Sequence, residues 1–401
     1  MKKITTLFLV GIFVILSITL IAYARGYRID FKKKEITGTG LLVTTSEPNG
    51  ASVFLNGHLT TATNNTLNLP PGDYDVRIVK NGYLGWQKKL KVEAEVVSKT
   101  EALLFPSTPS LKPLTINGAL NPLLSPDSTK IVYAVSSQGL PNDATDRSGL
   151  WIFPLPVRPL SFARDPQKIA SNFRGFDISE AQIIWSPDSK EIIALFFSDP
   201  KKPSSGNVTS AYLISAEGQN TNLRDITATF SLTLKTWEEE KKAKYQDQLL
   251  SLPKDFVKVA TASASLLAFS PDETKVLYTA TTSGTLPQII KPALIGANSQ
   301  LEERELKKNQ VYVYDVKEDK NFAINSNDHL FWLPTSRHLV SIQKDTISIM
   351  EYDGTNNAVF YAGPFINSFV FPWPDASNLV ILTNLNKSAG EIPNLYAVSL
   401  K

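Results

Sequence analysis

The feature that most constrains this chain is a hairpin that recurs around Ser-Pro-Asp. Ser125-Pro126-Asp127, Ser186-Pro187-Asp188 and Ser270-Pro271-Asp272 each follow an apolar stretch and lead into a β-branched or aromatic one. Two looser copies centre on Pro334 and on Pro374-Asp375. Proline presets φ, the Asp or Ser side chain caps the turn, and the flanking runs read as adjacent strands. A further aromatic-apolar strand follows each hairpin: Leu150-Trp151-Ile152-Phe153, Ala211-Tyr212-Leu213-Ile214, Val311-Tyr312-Val313-Tyr314, Ile347-Ser348-Ile349-Met350 and Leu395-Tyr396-Ala397-Val398. No such unit can bury its apolar face alone, so the copies must stack.

A hairpin plus one or two strands is one blade of a β-propeller. The expected fold is therefore all-β, with a five- or six-bladed β-propeller over residues 107–401. Ser125 to Ser186 is 61 residues and Ser186 to Ser270 is 84, beyond the ~40–45 of a plain blade, so insertions carry the excess. The last copy ends without an outer strand. Leu111-Lys112-Pro113-Leu114-Thr115-Ile116 is the candidate to supply it, removing an open edge. Between the second and third hairpins, Thr236-Trp237-Glu238-Glu239 reads as a capping box opening a helical insertion over 236–252 that Pro253 ends. Trp237, Tyr245, Leu249 and Leu252 share one face of it. The first three are the candidate partner-binding residues if the insertion is a lid; packing on the propeller rim is the alternative.

Residues 38–106 are a run of short strands with explicit turn chemistry, expected to close as a small β-sandwich. Asn56-Gly57 is a type I′ hairpin signal, since both positions tolerate positive φ. Pro70-Pro71-Gly72 and Asn81-Gly82 mark further turns, and residues 74–79 alternate as a half-buried strand. Tyr83 and Trp86 read as core aromatics of a small domain.

The amino terminus places Lys2-Lys3 before an apolar run over 4–24, long enough for the ~20 residues a bilayer core requires. The expected arrangement is a transmembrane anchor over 1–24, a basic juxtamembrane linker over 25–37, and the bulk of a single-pass protein outside the cytoplasm. Ala22-Tyr23-Ala24 also fits a signal-peptide cleavage site. Arg25, Arg28 and Lys32-Lys33-Lys34 follow the run, so flanking charge alone points to the opposite topology.

Composition excludes several chemistries. There is no cysteine, hence no disulfide, thiolate metal site or thiol nucleophile. His58, His329 and His338 are the three histidines and form no metal-ligand pattern. Forty-one basic against thirty-eight acidic residues lack the concentrated basic face of a nucleic-acid binder. No nucleophile elbow, phosphate loop or dinucleotide fingerprint is present. Catalytic, cofactor and metal sites are accordingly expected to be none, and the turn residues Asp127, Asp188, Asp272 and Asp375 read as caps.

Two resemblances carry these expectations further. Pro48-Asn49-Gly50-Ala51, then Val53-Phe54-Leu55-Asn56-Gly57, Leu69-Pro70-Pro71-Gly72-Asp73-Tyr74, Lys80-Asn81-Gly82-Tyr83 and Trp86 resemble the ordered turns of the PEGA domain, with Asn49 in place of the usual glutamate. The Ser-Pro-Asp hairpins resemble the TolB-type, WD-like propeller repeat. The resemblance implies a bacterial membrane-anchored binding or scaffold protein whose partner is a protein or cell-wall glycan. The alternative is a glycan hydrolase using two carboxylates from different blades. A sensor coupled to a cytoplasmic partner is disfavoured by the few residues before the anchor.

Overall fold

The computed structural model describes all residues except 1, 25–26, 31–34, 138–146, 157–164, 174, 200–205, 327–328, 367–368 and 386–391. Lys32-Lys33-Lys34 and Arg25 of the expected basic linker lie outside the described residues.

The first helix runs Lys2–Ala24. Its side chains are described over 8–21 and are nearly all exposed, Phe13 by 71%. Among the described residues, no helix is long and apolar enough to cross a membrane. Arg28–Asp30 then pairs with Glu35–Thr37 as a short hairpin.

Two sheets build the sandwich. One places Gly40–Glu47 between Asn65–Leu69 and Val97–Leu103, the last pairing parallel. The other runs His58–Ala62, Ser52–Leu55, Gly72–Val79, Trp86–Val92, all antiparallel. Period-2 burial puts Leu42, Val53, Val76, Ile78 and Trp86 between the sheets, as alternation requires. Asn56 and Gly57 both have positive φ, 48° and 83°, the conformation of the type I′ turn.

Among the described residues, five four-stranded antiparallel sheets follow. They start at Leu120–Leu124, Gln182–Trp185, Ala264–Phe269, His329–Trp332 and Val370–Pro372. The fifth is completed by Leu111–Pro113, which pairs with Asn394–Ser399 in the register Leu111 to Val398 and Pro113 to Tyr396. The ring thus closes by strand exchange, over three residues rather than the six read from sequence. All five hairpin turns share one backbone conformation, with Ser128, Ser189, Glu273, Ser336 and Ala376 at φ between 54° and 62°. The aspartates cap as expected. Ser125 Oγ donates to Asp127 Oδ1 at 2.6 Å, and that oxygen also accepts from the Thr129 amide at 3.0 Å. The same bonds recur at Asp188 and Asp272.

Blade packing gives the ring its order. Shared apolar cores join the first blade to the second, the third to the fourth, the fourth to the fifth and the fifth back to the first. Turn-to-turn bonds mark two of these joints. Asp127 N donates to Ser189 Oγ and Asp272 N to Ser336 Oγ, each at 3.0 Å. Alongside them, Trp185 and Trp332 reach back to the carbonyls of Leu123 and Ala268.

Helices fill the gap between the second and third blades. The insertion is two helices, Phe230–Leu250 and Lys254–Ser263. Phe230, Leu234 and Trp237, at helical spacing, cover Ile193, Leu195 and Ala211 of the second blade. Leu249, Leu252, Phe256 and Ala260 cover Val276, Tyr278 and Tyr314 of the third. Phe256 stacks on Tyr314 with ring centroids 4.2 Å apart.

This corrects the capping-box reading. The helix begins at Phe230, and Thr236 lies inside it with its hydroxyl donating to Leu232 O at 3.1 Å. Burial of Phe230 and Leu234 extends the helix toward its start, and the intrahelical bond occupies the threonine.

Candidate functional site

The sandwich is fixed to the propeller by a junction that combines charge and apolar packing. Trp86 and Lys88 alternate on the strand Trp86–Val92 and are both buried. Glu351 ends the third strand of the fourth blade, and Asp353 lies in the turn after it. Lys88 Nζ is 2.7 Å from Glu351 Oε2 and 2.5 Å from Asp353 Oδ2. The Trp86 indole N–H also donates to Glu351, and Gln87 N donates to Asn356 Oδ1 at 2.8 Å. Asn298, from a long loop of the third blade, donates to Asp353 Oδ2 at 2.7 Å and to the Tyr352 hydroxyl at 3.0 Å.

Beside the charges sits an apolar plug. Phe105, Leu103 and Leu84 of the sandwich pack with Leu333, Val340 and Phe360. Phe105 meets the His338 ring edge-on at 5.6 Å. Two exposed ion pairs, Arg337 with Glu101 and Lys401 with Glu47 at 3.0 Å, flank it.

Electrostatics follow from burial and pairing. Burial alone would lower the Lys88 ammonium, but Glu351 and then Asp353 outweigh it and raise its pKa. Burial likewise works to raise Asp353, and Lys88 reverses it to a net lowering. His338 is pushed down to about 4, mainly by burial, against the opposing pull of Glu351. It is therefore neutral at pH 7, with Thr335 Oγ1 3.0 Å from Nδ1. Glu318 is raised, first by burial. At the propeller turns the Ser186 hydroxyl and then the Lys190 amide hold Asp188 below its ordinary value.

A cleft of about 130 Å³ lies along this junction, lined by Lys88, Glu318, Glu351, Asn298 and Arg337 among others. That is below the ~300 Å³ at which ligand pockets begin. Its charged groups serve chiefly to hold the two modules together.

A roomier groove of about 410 Å³ runs along the rim between the first and second blades. Asn172, Phe173, Tyr212, Gln219, Asn220 and Asn222 line it with Ser171, Thr221 and Leu223. None of these described lining residues is Asp, Glu, Lys, Arg or His. Asn220 fixes its wall, with its amide nitrogen donating to Ile169 O and Ser215 O at 3.0 Å each and its Oδ1 accepting from Ser215 N. Asn172 Oδ1 accepts from Ile178 N at 3.1 Å. Gln219, Thr221 and Asn222 are exposed. An amide- and hydroxyl-lined groove beside two aromatic rings is chemistry for a neutral ligand rich in hydroxyl or amide groups. No sequence motif marks it, although Gln219-Asn220-Thr221-Asn222 is a visible run of uncharged polar residues.

The structure separates the three residues read as partner-binding. Trp237 is buried at 7% exposure against the second blade, so it is not available to a partner. Leu249 packs on the third blade. Tyr245 is 42% exposed and meets Phe269 edge-on at 6.5 Å. The shared face exists, but its role is to join two blades. Among the described residues, no group of three or more His, Asp or Glu side chains is placed to hold a metal ion.

Fold and junction together define a two-module all-β protein, a sandwich locked onto a closed propeller. Its first module has a family: residues 39–106 match the PEGA domain, and this segment is a PEGA domain. No curated protein matches the sequence. Among solved structures, a putative TolB from Agrobacterium tumefaciens is 12% identical, with 72% of this chain and 89% of that chain covered and a TM-score of 0.23. A eukaryotic initiation factor is 9% identical, with 82% and 63% covered and a TM-score of 0.20. At such identities and scores neither match bears on function.

Proposed function

We propose that this chain is a membrane-anchored, extracytoplasmic binding or scaffold protein whose rim groove takes a neutral stretch of cell-envelope glycan. The observation that carries the reading is the groove between the first and second blades: about 410 Å³, with no acidic or basic side chain among its described lining residues and with exposed Gln219, Thr221 and Asn222. Sugar polymers present hydroxyl and acetamido groups, which side-chain amides match as both donors and acceptors. Aromatic edges such as Phe173 supply apolar contact.

The anchor reading rests on the sequence, where Lys2-Lys3 precede an apolar run over 4–24 that matches the ~20 residues a bilayer core requires. The junction supports the scaffold role, because Lys88 and Phe105 hold the PEGA domain and propeller as one unit. The signal-like start supports placing both outside the cytoplasm.

The test is a pull-down with the full chain in lipid nanodiscs, offered purified peptidoglycan and, separately, envelope extract depleted of it. Retention of peptidoglycan that falls in a Gln219→Ala/Asn222→Ala variant is the expected result. Retention of nothing, or turnover of the glycan, would sink the binding reading.

A further inference from the structure

Between the first helix and the PEGA domain lies an apolar edge that has no protein partner among the described residues. The helix ends at Ala24 and Tyr27 follows three residues later, at most about 11 Å further along an extended chain. The Tyr27 hydroxyl donates to Glu95 Oε1 at 2.6 Å. Glu95 N in turn donates to Thr39 O, so the 93–96 turn is pinned beside the segment that leaves the helix.

A propeller loop reaches the same place. A Cβ built on Gly296 would lie 3.1 Å from Val96 Cγ1. The residues just before that glycine, Leu294 and Ile295, are 46% and 75% exposed. Leu41 and Val97, paired across the adjoining strands, are exposed too. Four large apolar side chains from two modules are therefore exposed on segments adjoining the turn that Tyr27 contacts. A soluble surface gains nothing from such an edge, whereas a bilayer interface accepts apolar side chains to a depth of about 5–10 Å.

We propose that the 93–96 turn and the Leu294–Ile295 loop rest in the headgroup layer of the bilayer that holds the first helix, so that lipid covers this edge. The inference depends on the anchor reading and adds to it. The propeller touches the membrane through one loop of its third blade, which fixes the tilt of the whole molecule. A bare tether would leave that tilt free. The short reach from Ala24 to Tyr27, whose hydroxyl bonds Glu95, selects lipid over a protein partner, because the end of a spanning helix lies at the headgroups.

The absence of native cysteine permits a direct test in the full chain. Single variants Ile295→Cys, Ile116→Cys and Phe13→Cys carry an environment-sensitive fluorophore in phosphatidylcholine nanodiscs with a shallow spin-labelled lipid. Ile116 is 82% exposed and lies beyond the closing strand, next to the Thr115–Asn394 contact at the far end of the fifth blade from its Asp375 turn. The expected result is strong quenching at 13, and quenching at 295 several-fold greater than at 116. Equal, aqueous emission at 295 and 116 with quenching at 13 overturns the loop contact and leaves the anchor standing. Loss of quenching at 13 as well overturns both.

Discussion

Lys88 of the PEGA domain and Asp353 of the fourth blade form a buried ion pair across the domain junction, Nζ to Oδ2 2.5 Å, with Glu351 on the same ammonium. Two carboxylates share one cation, and Asn298 and Trp86 supply further donors. Such a cluster is stable only when complete, because each charge has left water.

Lys88→Met therefore leaves two buried carboxylates without their cation. A loss of about 3–5 kcal/mol is expected, since breaking a buried pair strands a charge. Chemical denaturation of the variant measures it. Adding Glu351→Gln and Asp353→Asn to Lys88→Met should recover part of the loss. A triple variant no more stable than the single one would show that the charges are not the cause.

His338 makes the junction sensitive to acid. Its folded value is about 4, against an ordinary 6.5. Above pH 6.5 both folded and unfolded chains carry it neutral, and it contributes no pH dependence. As pH falls from 6.5 to 4 the unfolded chain binds the proton first, so stability is lost, on the order of 3 kcal/mol over the window. Below that, Asp353, whose folded value is lowered, loses its own contribution as pH falls from 3.8 through that value. Lys88, raised above 10.5, contributes below pH 10.5 and loses its share as pH rises through its folded value. His338→Asn keeps a polar atom toward Thr335 and should flatten the melting temperature between pH 6.5 and 4. An unchanged slope would remove His338 as its source.

Trp237→Ala should cost about 3–5 kcal/mol, the usual loss for a large buried aromatic. Tyr245→Ala, on the exposed part of the same helix, should cost well under half of that. The comparison by thermal denaturation reads whether the helix joins the blades or merely lies on them. Similar small losses at both positions would contradict the packing.

Gly149 opens the third strand of the first blade at φ +133°, and a Cβ there would lie 2.2 Å from the Ala170 carbonyl oxygen. Gly149→Ala must displace the outer strand Gln167–Ala170, at about 1–3 kcal/mol from overpacking. Because that strand also holds Asn220 through Ile169, loss of peptidoglycan retention is expected alongside. A variant with full stability and unchanged amide exchange at Ile169 would disprove the strain.

Local chemistry made much of the fold legible. Ser125-Pro126-Asp127 and its copies specify their turns through bonds within about five residues, so each hairpin reads from its own sequence. Asn56-Gly57 does the same in the PEGA domain. The closing strand is legible by subtraction, since the fifth blade lacks an outer edge and residues 111–116 precede the first hairpin, although only 111–113 pair. The start of the inserted helix was not. Thr236 carries a local cap pattern, and burial of Phe230 and Leu234 against Ile193 and Leu195 overrides it.

The repeat, the turns and the alternation that makes every sheet two-faced are legible residue by residue, because they depend on backbone preferences and on period-2 burial. So is the apolar helix at the amino terminus. The assembled fold alone fixed which faces meet. It set helices between the second and third blades, brought Lys88 to Glu351 and Asp353 across more than 260 residues, and opened the rim groove at Asn220. Contacts between distant segments depend on which surfaces remain uncovered after each module has formed. That is a property of the assembled shape, and no local pattern encodes it.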